Sequence, residues 1–322
     1  KFDACSKRLA SYIDHWQDVS DLSDEALADK VFEDDIDILV DLAGHSANNR
    51  LGVFAHKPAP VQVTWLGYPN TTGLSTIDYR ITDDIADPVG ESDQVNSEAL
   101  LRLEGGFLCY QGDDSFPIPE QIPYDKNGFI TFGSFNNYVK VTPEVIAVWA
   151  EILKAVPDSK LILKSNQLSD KITSQSCKAL FKKQGIEPKR LTLLGFLPKP
   201  NDHMTYYSKV DIGLDPFPYN GTTTTFEALW MGVPTITYSG NTHASRVGAS
   251  ILSRIDLQSY ITYTLDDYIA LAQSKATNLD ELRALRSTLR ATMKSSVLCD
   301  AKHFTQQLES AFQSMYKGGH TP

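Results

Sequence analysis

The sequence predicts an α/β protein built on parallel sheets and divided into two units. Three observations lead there. From residue 128 onward, short apolar runs alternate with amphipathic stretches at helical spacing, and that βαβα rhythm requires a parallel sheet with helices on both faces. The length of 322 residues suits two units at about 150 residues per domain. A hydrophobic content of 42% and a charged content of 22% are those of a globular protein with a sizeable core. The boundary falls near Asn127, giving units 1–127 and 128–322.

Composition also excludes several classes. A net charge of −10 and a pI near 5.2 argue against nucleic-acid binding, which needs a basic face. No apolar run approaches the ~20 residues of a membrane helix, and the start carries no signal-peptide pattern. The four cysteines, at positions 5, 109, 177 and 299, have neither metal-ligand nor disulfide-framework spacing. They predict reduced thiols and a cytoplasmic protein. The first residue is Lys rather than Met, as expected of a fragment or a processed product.

Taken in order, residues 23–32 read as a helix and 36–42 as a strand by β-branched content. The turn 43–50 follows at the carboxyl end of that strand, where open α/β sheets collect ligands. His45 and Arg50 are therefore candidates, although a turn histidine can equally be bonded to a backbone carbonyl. Residues 61–65 form a second strand and 78–82 a third. The segment 83–127, rich in Asp, Pro, Gly and Ser, is a connection with some short strand. Beyond it come strands at 129–132, 160–163, 191–194, 210–214 and 235–238. Helices are expected at 143–155, 170–183 and 202–208, and two more within 279–317. Thr142-Pro143 pairs a cap with proline at the first helical position.

The chain is organised around Asp215-Pro-Phe-Pro-Tyr-Asn-Gly-Thr-Thr-Thr-Thr-Phe-Glu227. A strand turns through Asn220-Gly221 into a helix whose start carries Thr222, Thr223, Thr224 and Thr225. Free backbone N–H groups beside hydroxyls make an anion site, most naturally for phosphate. A plain cap is the alternative, because Thr224-x-x-Glu227 also fits a capping box. Two other loops reach the same sheet edge. One carries Asn136, Asn137 and Lys140, a point cation suited to phosphate oxygens. The other carries His203. No P-loop or GxGxxG is present. Asp35-Ile-Asp37 matches a short metal-binding pattern, but it lies at a strand's beginning, the wrong edge for a ligand. A solvated strand end is the better reading, and no other cluster has metal-ligand spacing.

Gly44-His-Ser-Ala-Asn-Asn-Arg50, Pro58-Ala-Pro-Val-Gln62, Trp65-Leu-Gly-Tyr-Pro-Asn-Thr-Thr-Gly73 and Gly133-Ser-Phe-Asn-Asn137 resemble, in order, the catalytic region of the O-GlcNAc transferase / SPINDLY family. The segment 215–225 and Ala244-Ser-Arg-Val-Gly-Ala-Ser250 do too, so the resemblance covers nearly the whole chain. Thr222-Thr-Thr is closer to the SPINDLY branch. The resemblance implies a GT-B fold, two Rossmann-like domains facing a cleft, the first incomplete at its N-terminus. It also implies inverting, metal-independent transfer of a sugar from UDP-GlcNAc or GDP-fucose to Ser or Thr of a protein, with no cofactor. By the same resemblance, Lys140 meets the donor diphosphate and Thr223 and Thr224 assist it. Asn137 and His203 lie at the donor, Glu227 holds the ribose hydroxyls, and Gly67 and Pro69 close over the sugar. His45 is a candidate catalytic base. Tetratricopeptide repeats and the upstream half of the first lobe are expected in the full-length protein. The rival expectation is a non-catalytic module that binds a nucleotide-sugar or a peptide.

Overall fold

The computed structural model describes residues 2–197 and 200–319. Among these, ten strands form two sheets, and every strand pairing is parallel. The first sheet contains β1 (Ile38–Asp41), β2 (Val61–Thr64), β3 (Tyr79–Thr82) and β4 (Ala99–Arg102), in the order β1-β2-β3-β4. The strand expected at 36–42 is shorter because Asp35 has a positive φ of 53°, which breaks the extended backbone just upstream. Strand β4 is the short strand expected somewhere within 83–127.

The second sheet contains β5 (Thr131–Ser134), β6 (Lys160–Lys164), β7 (Leu191–Leu194), β8 (Ile212–Leu214), β9 (Thr235–Tyr238) and β10 (Ile261–Thr262). Its order is β10-β9-β8-β5-β6-β7. The chain runs outward from β5 to β7, then returns to β8 on the other side of β5. The strand order thus reverses between β5 and β8, and such a switch point opens a crevice at the carboxyl ends of its strands. The loops that carry Lys140 and the Thr222–Thr225 run leave the sheet there.

Local chemistry sets the helices. Thr142 caps the helix Pro143–Ala155 by accepting from the Val145 N–H, with proline at the first position. The apolar face of that helix, Val145, Ile146, Trp149, Ile152 and Leu153, is fully buried. Asp170 caps Lys171–Lys183 in the same way. Five α-helices among the described residues go beyond the sequence expectation, Ala4–Ala10, Leu51–Ala55, Pro123–Asn127, His243–Ser253 and Leu265–Thr277. The final helix, Ala301–Gly319, is assigned by the 127/128 division to the second unit. In the structure it crosses back, and its Phe304 stacks on Trp65 beyond β2 with ring centroids 5.8 Å apart. One apolar core accordingly runs through both sheets, from Val61, Val63 and Ile81 to Leu289 and Met293.

Candidate functional site

The two sheets face each other across a cleft of about 530 Å³. Its second-lobe wall comes from the two loops of the switch point. The loop after β5 ends in a short 3-10 turn, Tyr138–Lys140, capped by Asn137. Asn137 Oδ1 accepts from the Val139 N–H and from Gln167 Nε2, so its amide nitrogen is left for the cleft it lines. Lys140 Nζ donates to the Asn220 carbonyl at 2.7 Å and lies 3.7 Å from the Tyr219 ring centroid. Its pKa is lowered because burial penalises the cation, the charge of Asp215 offsetting only part of this. Among the described residues no carboxylate pairs with it. A desolvated cation without a counter-ion, facing a cleft, is arranged for an anion.

The loop after β8 supplies the opposite jaw. Asp215 is buried and accepts from the Gly221 N–H at 2.6 Å and from Thr237 Oγ1 at 2.8 Å. Those bonds fold the turn back on itself. Gly221 has to be glycine, because a Cβ there would sit 2.7 Å from the Thr224 and Thr225 hydroxyls and 2.9 Å from Asn136 Oδ1. The helix Thr223–Trp230 then starts from Thr222, and its first N–H groups have no carbonyl one turn back. Thr222, Thr223 and Thr224 all line the cleft, and Thr224 Oγ1 donates to Asn136 at 2.9 Å. Burial pushes the Asp215 carboxyl up to about 7 from 3.8. The folded protein therefore holds a proton that the unfolded chain has released, and stability falls as the pH rises between those values. Urea unfolding at pH 5 and pH 7 should show the wild type losing about 2 kcal/mol more than Asp215→Asn over that interval.

His203 and Glu227 lie beside this cleft rather than in it. His203 Nε2 meets Glu227 Oε2 at 2.8 Å, and the Tyr207 hydroxyl donates to the same oxygen at 3.3 Å. Both residues line an adjoining hollow of about 490 Å³ with Lys164 and Phe196; Tyr110 borders hollow and cleft alike. Tyr110 is clamped flat on Phe226, centroids 4.9 Å apart and planes 5° from parallel. The capping-box alternative for Glu227 does not hold. The cap is Thr222, the helix makes no side-chain cap bond, and the carboxylate points to His203.

The first-lobe wall is the loop after β2. Leu66, Gly67, Tyr68 and Pro69 line the cleft. Gly67 is glycine for a steric reason, since a Cβ would collide with the Leu42 carbonyl at the end of β1. His45 is placed elsewhere. Its Nε2 bonds the Thr72 carbonyl at 2.8 Å and its ring meets Tyr68 edge-on, and it is absent from the cleft lining. The alternative reading, a turn histidine held by a backbone carbonyl, is the one observed. Arg50 is a brace, bonded to Asp24 and to the Val19 and Leu22 carbonyls. Asp35 and Asp37 are exposed at the amino end of β1. Among the described residues no group of three His, Cys, Asp or Glu side chains gathers to hold a metal ion.

The sequence reading missed the cleft's own histidine. His243 opens the helix after β9, lines the cleft, and places Nδ1 2.7 Å from Asp87 Oδ2. Its position just past a strand at the ligand edge is the signal that was available. Its partner lies 156 residues away in the chain, and no local pattern joins the two.

The model for glycosyl transferase family 41 matches residues 3–120 and 114–308. A Petunia hybrida protein, a probable UDP-N-acetylglucosamine–peptide N-acetylglucosaminyltransferase SPINDLY, is 46% identical over 302 residues. That match covers 94% of this chain and 32% of the relative, so the chain spans about a third of the length of the curated relatives it matches. A solved Thermobaculum terrenum O-GlcNAc transferase mutant superposes with a TM-score of 0.93 at 38% identity, over 99% of this chain and 60% of that one. Anabaena HepE, solved with UDP and glucose, shares the fold alone, with a TM-score of 0.60 at 12% identity over 97% of this chain and 90% of that one. The two facing parallel sheets are thus the GT-B arrangement, and the chain belongs to glycosyl transferase family 41.

Proposed function

We propose that this chain is the donor-binding part of an inverting, metal-independent glycosyltransferase acting on Ser or Thr of proteins, with UDP-GlcNAc or GDP-fucose as donor. The observation that supports it most is Lys140, a desolvated cation without a carboxylate partner, set opposite a threonine-lined helix N-terminus across a sheet switch point. In transfer, the acceptor hydroxyl oxygen attacks the anomeric carbon and releases its proton to solvent as the bond from that carbon to the phosphate oxygen breaks. Negative charge grows on the leaving diphosphate. Lys140 and the N–H groups at Thr223 and Thr224 answer that charge, the work a metal ion does in other enzymes. The nucleoside extends into the hollow that holds His203 and Glu227, and the sugar lies toward Gly67 and Pro69. No cofactor is needed. Upstream tetratricopeptide repeats, a protein or peptide acceptor and a cytoplasmic setting belong to the same proposal.

A thermal-shift panel of UDP, GDP, UDP-GlcNAc and GDP-fucose, run in EDTA on the full-length protein, tests this reading. The preferred nucleotide should raise the melting temperature most, since a ligand of the folded state stabilises it by mass action. No shift with any of the four, or a shift that appears only with added magnesium or manganese, would sink it. Binding without transfer to any peptide would leave the rival, a non-catalytic nucleotide-sugar module.

Glu227→Gln refines the test. Oε2 is engaged by His203 and Tyr207, while no bond to Oε1 is found among the described residues, so one oxygen remains for ribose hydroxyls. Loss of the charge should weaken nucleotide binding by roughly 1.5–3 kcal/mol, the range for hydrogen bonds to charged groups. The melting temperature of the free protein should barely move, because the helix start does not use this carboxylate and the amide oxygen of Gln can still accept from His203 and Tyr207. Calorimetric titration with unchanged affinity would remove Glu227 from the donor site.

A further inference from the structure

His243 lines the cleft, and the donor binding described above makes no use of it. Its ring is buried, 7% exposed, and packs 5.0 Å from the Phe107 ring centroid. Nδ1 lies 2.7 Å from Asp87 Oδ2. Asp87 in turn receives Arg80 Nη1 at 3.0 Å and the Thr82 hydroxyl. An ionised carboxylate only accepts hydrogen bonds, so Nδ1 must carry the proton and Nε2 is left with its lone pair. That second nitrogen has no hydrogen-bond partner among the described residues, and it is not sealed from solvent as His203 Nδ1 is. The side chain lines the cleft, so the lone pair opens onto it.

Charge decides what such a nitrogen does. Arg80 and Asp87 already neutralise one another, both almost fully buried at 3% and 2% exposure. A proton added to the imidazole would leave the buried cluster with an uncompensated positive charge. Burial lowers the His243 pKa and outweighs the hydrogen bond to Asp87 and the charges of Asp87 and Asp83, with Arg80 lowering it further. The ring is therefore built as a fixed, neutral hydrogen-bond acceptor and poorly suited to take a proton during the reaction.

Position decides what it accepts from. The backbone carries a short path from the cation to this ring. Lys140 Nζ donates to the Asn220 carbonyl at 2.7 Å, and the Asn220 N–H donates to the carbonyl of Ala244, the next residue after His243, at 2.9 Å. The hollow of His203 and Glu227 is separate, and His243 is not part of its lining. A nucleotide-sugar with its diphosphate at Lys140 and its nucleoside in that hollow sends its sugar into the main cleft, where His243 waits.

We propose that His243 is a specificity-determining residue for the transferred sugar, its Nε2 accepting a hydrogen bond from a hydroxyl of that sugar while Asp87 holds the ring. The proposal rests on the donor-site reading above, and calorimetry on the full-length protein separates the two. UDP and GDP report the nucleotide site; UDP-GlcNAc and GDP-fucose report the sugar contact. His243→Phe keeps an aromatic ring beside Phe107 but removes the acceptor. It should weaken the intact sugar nucleotide about tenfold while the matching diphosphate binds within about twofold of wild type. His243→Gln restores an acceptor oxygen and should recover most of the loss. If His243→Phe does not melt cooperatively, His243→Ala carries the same expectation without a ring to accommodate. Unchanged sugar-nucleotide affinity in the variants overturns the proposal. So does an equal loss for diphosphate and sugar nucleotide, the mark of a purely structural residue. A wild-type protein that binds neither diphosphate fails the donor-site reading itself, and the sugar contact with it.

Discussion

Lys140→Ala in the full-length enzyme should lower the transfer rate by a factor of 10² to 10³, about 3–4 kcal/mol, the loss seen when one preorganised donor to a developing negative charge is removed. The structure explains why the loss falls on the chemical step more than on the fold. Lys140 Nζ makes one hydrogen bond, to the Asn220 carbonyl, and has no carboxylate partner among the described residues. Its burial disfavours the charge, so removing the side chain removes a desolvation cost along with a bond. The melting temperature of the free protein should stay level or rise slightly, and diphosphate affinity should fall. Lys140→Arg should not restore the rate, because a planar fork cannot occupy the place of a compact ammonium held between the Tyr219 ring and a carbonyl. Single-turnover rates and diphosphate titrations on both variants check this. A Lys140→Ala enzyme with wild-type turnover would place the leaving-group charge somewhere other than the switch point.

How much of this was legible in the sequence depended on whether a residue's environment is made by its neighbours in the chain. The second sheet was legible because its strands are short apolar runs and its helices carry local caps; Thr142, Pro143 and Asp170 act as their positions predict. The turn from β8 into the helix Thr223–Trp230 was legible for the same reason, since strand, turn and helix N-terminus are consecutive from Val210 to Glu227. The register of that helix was not. Its cap is Thr222 rather than Thr224, and a shift of two residues turns Glu227 away from the helix start and toward His203. Gly67 reads as a flexible loop residue but is needed because the end of β1 leaves no room for a Cβ. His45 drew attention as the histidine nearest a strand end, yet the carbonyl of Thr72 holds it outside the cleft. The helix His243–Ser253 was overlooked because it lies between the lobes. Most of its residues are buried, polar ones included, because partners far away in the chain such as Asp83 and Asp87 cover them.

Asp87→Ala should be the most destabilising single change outside the apolar core, costing about 3–5 kcal/mol, the range for removing one partner of a buried ion pair. The carboxylate joins three groups from both lobes, Arg80, Thr82 and His243. Without it the buried Arg80 keeps only Asn96 Oδ1, at 3.2 Å, and the N–H of His243 loses its acceptor. Glu91→Ala is the internal control. It also breaks a bridge between the lobes, to Arg246 at 3.1 Å, but the Glu91 side chain is 73% exposed, so its loss should cost at most about 1 kcal/mol. The dependence on pH has a definite sign. Burial by itself would raise the Asp87 carboxyl, but the hydrogen bond from His243 and the charge of Arg80 overcome it and hold the group well below the usual carboxylate range. A depressed carboxyl stabilises the fold above its ordinary pKa, and that stability is lost as the pH falls toward the depressed value. The gap between wild type and Asp87→Ala should therefore be widest near neutral pH and narrow in acid, whereas the gap to Glu91→Ala should stay small throughout. Urea unfolding of the three proteins from neutral pH down to about pH 3 measures both gaps. An Asp87→Ala protein as stable as Glu91→Ala at neutral pH would mean that the apolar core alone, and not the buried Arg80–Asp87–His243 cluster, holds the two lobes in register.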